Sequence, residues 1–185
     1  MSERTQLAGA VKRIAWGYVL MHVNFNLGTL DILPDWVGYL MILSVLPLVA
    51  AAEASAKLLK PFGIILTVWE VLIWVMNLLG AGDWDQGWLS IVATVISLYF
   101  HFQLLTNLAA ISEKYGCPET NRILTLRTVQ TLLTTVLALP LPWEDYEPLA
   151  IILLIVSLVV VIWLCAVLFS LRRSLEAWET RDVQE

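Results

Sequence analysis

The sequence predicts an all-α integral membrane bundle of six transmembrane helices, arranged as three hairpins with both termini in the cytoplasm. Three observations support this prediction: long apolar stretches, turns that alternate in charge, and tryptophans beside the apolar stretches. Apolar residues make up 59% of the 185 residues, charged residues make up 15%, and the mean hydropathy is +0.77. Soluble domains average about 45–50% apolar and 25% charged residues. We therefore expect residues 1–185 to form a single transmembrane domain.

Each apolar stretch is close to the roughly 20 residues that a helix needs to cross the hydrocarbon core. The predicted spans are 14–30, 36–52, 62–81, 88–111, 123–139 and 149–171. The first span follows Lys12 and Arg13 and therefore looks like a signal peptide. It runs into Pro34 and Asp35 rather than into a cleavage site of small residues. The interpretation is an uncleaved first span.

Basic and acidic residues alternate from one predicted turn to the next. All eleven basic residues belong to one set of segments: Arg4, Lys12, Arg13, Lys57, Lys60, Lys114, Arg122, Arg127, Arg172, Arg173 and Arg181. The opposite turns contain only acids: Asp31, Asp35, Asp83, Asp85, Glu144, Asp145 and Glu147. Because Lys and Arg near span ends resist translocation, the basic segments are predicted to be cytoplasmic. We expect the protein to lie in the cell membrane, with lipid around its spans. Trp36, Trp84, Trp88 and Trp143 lie at the outer span ends, as expected at a membrane interface.

Polar residues inside the predicted spans mark the candidate site. Glu70 lies about 12 Å deep in span three, at 1.5 Å per residue. An ionisable side chain at that depth is costly and is expected to be functional and to face the protein interior. Both histidines of the chain lie at a similar depth in other spans. The predicted intramembrane cluster, which we call the polar layer, consists of Glu70, His22, His101, Asn26, Asn77, Ser44, Thr67, Gln130 and Thr131.

Steps of three and four residues place polar side chains on one face of several spans. These stripes are Thr67, Glu70, Trp74 and Asn77; Ser90, Thr94, Ser97 and His101; and Thr128, Thr131 and Thr135. They would line a cavity or form a hydrogen-bonded seam, and Ser and Thr are common at helix contacts that have no transport function. A carboxyl group close to a histidine favours a functional interpretation, because such a pair binds and releases protons as one unit.

Span one has two faces of different character. Gly17, Asn24 and Gly28 share one face, so a neighbouring helix is expected to approach closely there. His22 and Asn26 project from another face, which we assign to the cavity.

The turn after span one contains the most specific motif of the chain. Pro34 disfavours helical geometry at Leu33, so the span is expected to end there, and Asp35 is expected to be the N-cap residue of span two. Asp31 and Asp35 are candidate functional residues of this outer turn. With Gly38 and Tyr39 the turn forms a DILPD-x-x-GY motif. The chain resembles a group of uncharacterised small multi-pass bacterial membrane proteins with this motif, and the resemblance implies no activity.

Several other functional classes are not expected. The segment from Asp83 to Gly87 begins like a calcium loop but lacks the closing glutamate. Cys117 and Cys165 form no paired ligand motif, so neither a zinc site nor a disulfide is expected. Signatures of soluble enzymes and basic patches for nucleic acid are missing. We expect no cofactor, no metal, no enzymatic activity and no nucleic-acid partner.

Two functions remain as hypotheses. The first is a small proton-linked carrier or permease for a small solute or cation, a homo-oligomer that works through Glu70 with His22 or His101. The second is a non-transporting binding subunit or scaffold that works with transporter subunits. In length and span count the chain looks like the substrate-capture component of energy-coupling factor transporters. It departs from them because Ala-x-x-x-Ala spacing occurs at the end of span two, in Ala50/Ala54 and Ala52/Ala56, rather than in span one.

Overall fold

The computed structural model describes residues 3–22, 26–27, 30–31, 34–80, 87–139 and 143–182, without the side chains of 26–27, 30–31, 143–144 and 178–182. Its long helices are α1 (Glu3–His22), α2 (Asp35–Ala52), α3 (Leu59–Leu78), α4 (Gly87–Lys114), α5 (Thr120–Ala138) and α6 (Glu147–Asp182). Short 3₁₀ helices cover Ala54–Leu58 and Trp143–Tyr146. Strand β1 (Asn26–Leu27) pairs antiparallel with β2 (Leu30–Asp31) as a two-residue bridge. The prediction of an all-α fold is confirmed apart from this bridge.

Four helical segments are long and apolar enough to cross a membrane: Asp35–Ala52, Ala54–Leu78, Gly87–Lys114 and Glu147–Ala177. They correspond to predicted spans two, three, four and six. The other two helices are more polar, because α1 contains Lys12 and Arg13 and α5 contains Arg122 and Arg127. The described residues therefore support a membrane protein with four apolar helices. Membrane crossing by α1 and α5 stays a prediction.

The predicted bounds of span one are wrong. We expected a span over 14–30, but α1 runs from Glu3 to His22 and the β1–β2 bridge follows it. A chain reversal between residues 26 and 31 is incompatible with a helix that continues to residue 30. The helix also begins well before the apolar stretch, because Glu, Arg and Gln are good helix formers even where hydropathy is low. Leu33, where we expected the span to end, lies outside the described residues.

The prediction of Asp35 as the N-cap residue of α2 is wrong by one position. Pro34 is the N-cap residue, with φ −67° and ψ 140°, and Asp35 is the first residue of the helix. The backbone N–H of Val37 donates to the Pro34 carbonyl at 3.0 Å. The proline ring holds its residue at the φ value that this extended position requires, so the helix begins immediately after it.

The other helix ends agree with the predicted spans to within one turn, except at the end of α6. We expected span six to end at residue 171, whereas α6 continues to Asp182. The extension is rich in helix-forming charged residues. Arg172 Nε donates to Glu176 Oε1 at 2.9 Å, a pairing one helical turn apart that supports the helix.

The helices form a closed ring in chain order. Each helix packs against the next one along the chain, and α6 packs against α1. α2 also contacts α4. Successive helices are therefore neighbours, and the contact between the first and last helices closes the ring.

The buried core occupies one half of this ring. We call this half the basic half. It consists of α1 and residues 38–67, 100–127 and 160–175, and it contains all the buried apolar side chains that the structure describes. The apolar half consists of residues 71–80, 87–98, 132–139 and 145–159. It contains no Lys or Arg, and many of its large apolar side chains are exposed. Glu70 lies at the boundary between the two halves.

Two glycines allow α1 and α2 to cross at close range. A Cβ atom at Gly17 would lie 2.9 Å from the carbonyl oxygen of Gly38, and one at Gly38 would lie 2.7 Å from that of Gly17. The Cβ at Gly38 would also overlap Met21 Cγ. The prediction that the Gly17 face admits a neighbouring helix is confirmed. Asn24 and Gly28, assigned to the same face, lie outside the described residues.

Candidate functional site

His101 of α4 contacts tyrosine hydroxyls from two other helices. The Tyr18 hydroxyl of α1 lies 3.0 Å from His101 Nδ1, and the Tyr39 hydroxyl of α2 lies 3.2 Å from Nε2. Tyr39 also lies 3.4 Å from the hydroxyl of Ser97, one turn before the histidine. We call Tyr18, Tyr39, Ser97 and His101 the histidine-tyrosine cluster. It joins α1, α2 and α4 through polar side chains.

Aromatic rings surround the imidazole. The ring centroids of Tyr18, Phe100 and Tyr39 lie 5.3, 5.4 and 5.8 Å from that of His101. These distances fall within the roughly 4.5–7 Å that aromatic pairs prefer. Tyr18 is completely buried, whereas His101 is partly exposed.

The hydrogen-bond directions follow from the number of available hydrogens. A neutral imidazole has one N–H donor and one acceptor nitrogen. With the hydrogen on Nε2, His101 donates to Tyr39, Tyr39 donates to Ser97, and Tyr18 donates to Nδ1. The opposite tautomer would leave the buried Tyr18 hydroxyl without an acceptor among the contacts of the described residues. We therefore assign the hydrogen to Nε2 by this count of donors and acceptors.

This arrangement links the charge of His101 to helix packing. A second proton makes both ring nitrogens donors. Tyr18 would then have to turn its hydroxyl hydrogen away from Nδ1 and would lose its acceptor. A buried hydroxyl without a partner costs about 1–3 kcal/mol. Protonation of His101 would thus weaken the contact between α1 and α4.

His22 adjoins the cluster through its own helix. Its Nδ1 lies 2.9 Å from the carbonyl oxygen of Tyr18, and its ring stacks on the Tyr18 ring at 6.2 Å. The side chain is exposed at the end of α1. Asn26, which we assigned to the same face, has no described side chain. His22 is therefore placed beside the cluster rather than inside it.

Glu70 of α3 lies apart from both histidines. It is half-buried, and within the described residues it forms no hydrogen bond or ion pair. The expected contact with His22 or His101 is not formed, because these rings bind a backbone carbonyl and two tyrosines instead. Glu70 and Asp35 are nevertheless close enough to Tyr39 to act on it electrostatically. Tyr39 is thus the side chain that connects Glu70 to the cluster.

The hydroxyl groups of the polar layer are bonded within their own helices. Ser44, Thr67 and Thr131 donate to backbone carbonyls three or four residues earlier, at 2.7, 2.7 and 2.8 Å. Thr94, Thr128 and Thr135 of the stripes do the same. Such bonds satisfy the hydroxyl without a partner helix. The hydrogen-bonded seam that we considered is therefore formed in the span-four stripe, through Ser97 and His101, and not by these threonines.

One stretch of the stripes lines a cavity. Ser90, Thr94 and Thr135 border an open groove of about 360 Å³ between α4 and α5 in the apolar half.

The remaining residues that we predicted for the site lie outside this groove and outside the histidine-tyrosine cluster. Asn77 is exposed near the end of α3, and Gln130 is half-buried with no partner for Oε1 in the described part of the chain. Asp31 belongs to β2, and its side chain is outside the description.

Sequence reasoning missed the two tyrosines of the cluster. Tyr39 belongs to the DILPD-x-x-GY motif, and the preceding Gly38 is the close-contact residue of α2. The motif therefore has a structural role: Gly38 admits α1, and Tyr39 reaches His101. Tyr18 is separated from His22 by one helical turn, so the two share a face of α1. The motif and the helical spacing make Tyr39 and Tyr18 detectable in the sequence, but they do not show that both tyrosines contact His101.

Sequence reasoning also missed buried polar contacts in the basic half. Glu119, 2% exposed in the turn before α5, accepts hydrogen bonds from Ser170 and Ser174 of α6 at 2.7 and 2.8 Å. Asn107 Oδ1 lies 2.7 Å from Ser55 Oγ. These contacts join helices that are distant in sequence.

Two ionisable groups outside the apolar helices are shifted by their surroundings. Burial, reinforced by the nearby Glu119 carboxyl and opposed by Arg4, raises the pKa of the Cys117 thiol. Burial and a hydrogen bond to Glu3 raise the pKa of Tyr115. Across the described residues, no group of three or more His, Cys, Asp or Glu side chains lies together as metal ligands would.

Comparison of the chain with protein-family models, with curated proteins and with solved structures finds no match.

Proposed function

We propose that the protein is a small proton-linked carrier or permease of the cell membrane, in which His101 takes up and releases the proton. The observation that carries the proposal is the contact of both His101 nitrogens with Tyr18 and Tyr39. These contacts join α4 to α1 and α2, so protonation of His101 would change the packing of three helices. A carrier needs such a link, because a bound proton shifts a conformational equilibrium only if the two states bind it differently.

Glu70 is the second ionisable group in the proposal. It lies in one of the four apolar helical segments, where a carboxyl group is costly and is a candidate for function by default. Its electrostatic influence on Tyr39 connects it to the cluster without a direct hydrogen bond. In this mechanism Glu70 binds the transported cation or a proton, and the histidine-tyrosine cluster responds to the change in its charge.

The proposed orientation places both termini in the cytoplasm. The basic half contains α1 and residues 160–175 of α6, together with the described lysines and all the described arginines except Arg181, which follows near the end of α6. Lys and Arg near span ends are retained on the cytoplasmic side. The apolar half would then face the outer leaflet. We propose six spans in this orientation. α1 packs against both α2 and α6, which shield one of its faces and help it to tolerate its polar residues.

One observation favours the alternative, a non-transporting binding subunit or scaffold. All five threonine hydroxyls of the stripes bond within their own helices, as they do in ordinary membrane helices. Under this alternative the cluster is a packing contact that fixes α4 against α1 and α2. The two functions differ in whether proton movement accompanies solute movement.

Reconstitution into liposomes tests the proposal. Vesicles with a pH-sensitive dye in the lumen are given gradients of single cations and small metabolites. The wild-type chain is expected to move protons with one class of solute, and His101→Gln is expected to abolish this movement. His22→Gln is the matched control and should retain it, because among the described residues His22 forms its hydrogen bond to the backbone of its own helix and none to the cluster hydroxyls. Absence of proton movement with every solute, or equal movement with His101→Gln, would favour the binding subunit.

A thermal-stability measurement addresses Glu70 separately. Ligands that bind the folded state stabilise it by mass action. The purified protein is heated with the same solutes between about pH 5 and 8, the range in which an unperturbed histidine changes charge. Glu70→Gln is expected to remove the pH dependence of the ligand shift while leaving the protein folded. An unchanged pH profile would exclude the proposed role of Glu70.

A further inference from the structure

A groove opens on the surface where α2 ends and the chain turns through Ala54–Leu58 into α3. Its volume is about 630 Å³, within the roughly 300–1,000 Å³ that is usual for small-molecule sites. Leu46, Pro47, Ala50 and Ala51 of α2 form an apolar wall. Lys57 of the 3₁₀ helix and Lys60 in the first turn of α3 border the same groove. The alanines have short side chains, so the groove is open between the two helices.

The charge of the groove is positive and uncompensated. Lys57 and Lys60 are exposed, and within the described residues neither forms a hydrogen bond or an ion pair. Among the described residues, no acidic side chain lines the groove. The nearest acid along the chain, Glu53, contacts the Ser55 hydroxyl at 3.1 Å, and that hydroxyl lies 2.7 Å from Asn107 of α4. The Glu53 carboxyl is therefore held towards α4 rather than towards the lysines.

The combination matches one class of ligand. Both walls of the groove belong to helical segments that are apolar enough to cross a membrane, so a lipid acyl chain finds an apolar surface along α2. The lysines lie at the ends of these segments, where basic side chains meet the headgroup region and attract negative charge. A soluble phosphate would satisfy the lysines but would leave the apolar wall uncovered. We infer that this groove binds the headgroup and upper acyl chain of an anionic phospholipid.

Lipid retention by the full-length purified chain tests this inference. The protein in detergent is mixed with phosphatidylglycerol or with phosphatidylcholine of the same acyl chains, and bound lipids are counted by native mass spectrometry. The wild type is expected to retain phosphatidylglycerol preferentially. Lysines near a membrane surface contribute about fivefold each to such binding. The double variant Lys57→Gln/Lys60→Gln is therefore expected to lose the preference by roughly tenfold or more.

Two further variants separate the groove from general surface charge. Lys12→Gln/Arg122→Gln removes the same number of charges from exposed positions that do not line the groove, and it should keep the preference. Ala51→Trp fills the groove without changing its charge and should weaken retention of both lipids. Equal retention of the two lipids by the wild type, or an equal loss in the charge control, would overturn the inference. Displacement of the lipid by excess inorganic phosphate would also overturn it, because the site would then bind a soluble anion.

Discussion

The two halves of the helix ring use similar apolar residues in opposite ways. In the basic half, Leu104, Leu164 and Leu168 are completely buried among other helices. In the apolar half, Leu154 and Ile155 are 60% and 58% exposed. Lipid tails are as apolar as leucine, so a membrane protein loses little by exposing such side chains to the bilayer. High hydropathy therefore indicates which surface can face the membrane, whereas the packing between helices determines where the core lies.

The hydrogen-bond partners of polar side chains also differ between the two halves. In the basic half some of them bridge elements that are distant in sequence, as Glu119 does with Ser174 and Tyr18 does with His101, although Ser44 and Thr67 bond within their own helices. In the apolar half, Thr94 and Thr135 bond to carbonyls of their own helices. Exposed polar groups find no water in hydrocarbon and must be satisfied locally. Tertiary polar contacts are therefore concentrated in the basic half, and Ser97 of the apolar half adds one contact to Tyr39.

The largest expected effect comes from removing apolar side chains in the two halves. Leu104→Ala leaves a cavity in the basic half and should lower the free energy of unfolding by roughly 2–5 kcal/mol. Leu154→Ala removes the same atoms from an exposed position, and lipid replaces them, so stability should change little. Thermal unfolding in matched lipid-detergent mixtures measures both. Equal losses would show that the apolar half is also packed against protein.

The close crossing of α1 and α2 gives a second contrast. Gly38→Val forces a side chain against Met21 and the Gly17 carbonyl, and overpacking of this kind costs about 1–3 kcal/mol or more. Gly9→Ala on α1 is the control, because a Cβ there has no atom within 4 Å. It should be neutral or stabilise the helix by roughly 0.5–1 kcal/mol. The midpoint of thermal unfolding should therefore move in different directions, and a neutral Gly38→Val would contradict the crossing.

Hydroxyl removal sharpens the contrast between polar groups. Ser174→Ala deletes one of two hydrogen bonds to the buried Glu119 and should destabilise the protein by about 1 kcal/mol. Thr135→Val removes a bond to its own helix and should cost less than about 0.5 kcal/mol. Thermal unfolding curves of the two variants, measured side by side, compare their losses of stability. A larger loss for Thr135→Val would mean that the stripe of α5 has a tertiary partner.

The smallest effect concerns reactivity rather than stability. Burial, with a contribution from Glu119, raises the pKa of the Cys117 thiol, so less thiolate is present at a given pH. Because the thiolate is the reactive form, maleimide should label Cys117 slowly and faster as the pH rises. Asn121→Cys, made in a Cys117→Ser background, provides an exposed comparison in the same region. Equal labelling rates would contradict the burial of Cys117 in the basic half.

The sequence predicted part of the candidate site and missed how it is assembled. His101 and the stripe that contains it were identified from spacing, because helical periodicity is a local property. The pairing of Glu70 with a histidine was expected from depth alone, and the structure places Tyr18 and Tyr39 at the imidazole instead. Depth along a helix does not specify rotation about its axis, so residues at one level need not face each other.

By itself, the sequence determined the membrane class, the helical periodicity of the four apolar segments and the Gly17 face open to close approach. These features depend on composition and on spacing within one helix. Only the tertiary structure decided that α6 closes the ring on α1, that His101 lies between two tyrosines, and that the core occupies the basic half. These features depend on how helices rotate and cross. That choice is made by the combined packing of all six helices, which no single stretch of sequence contains.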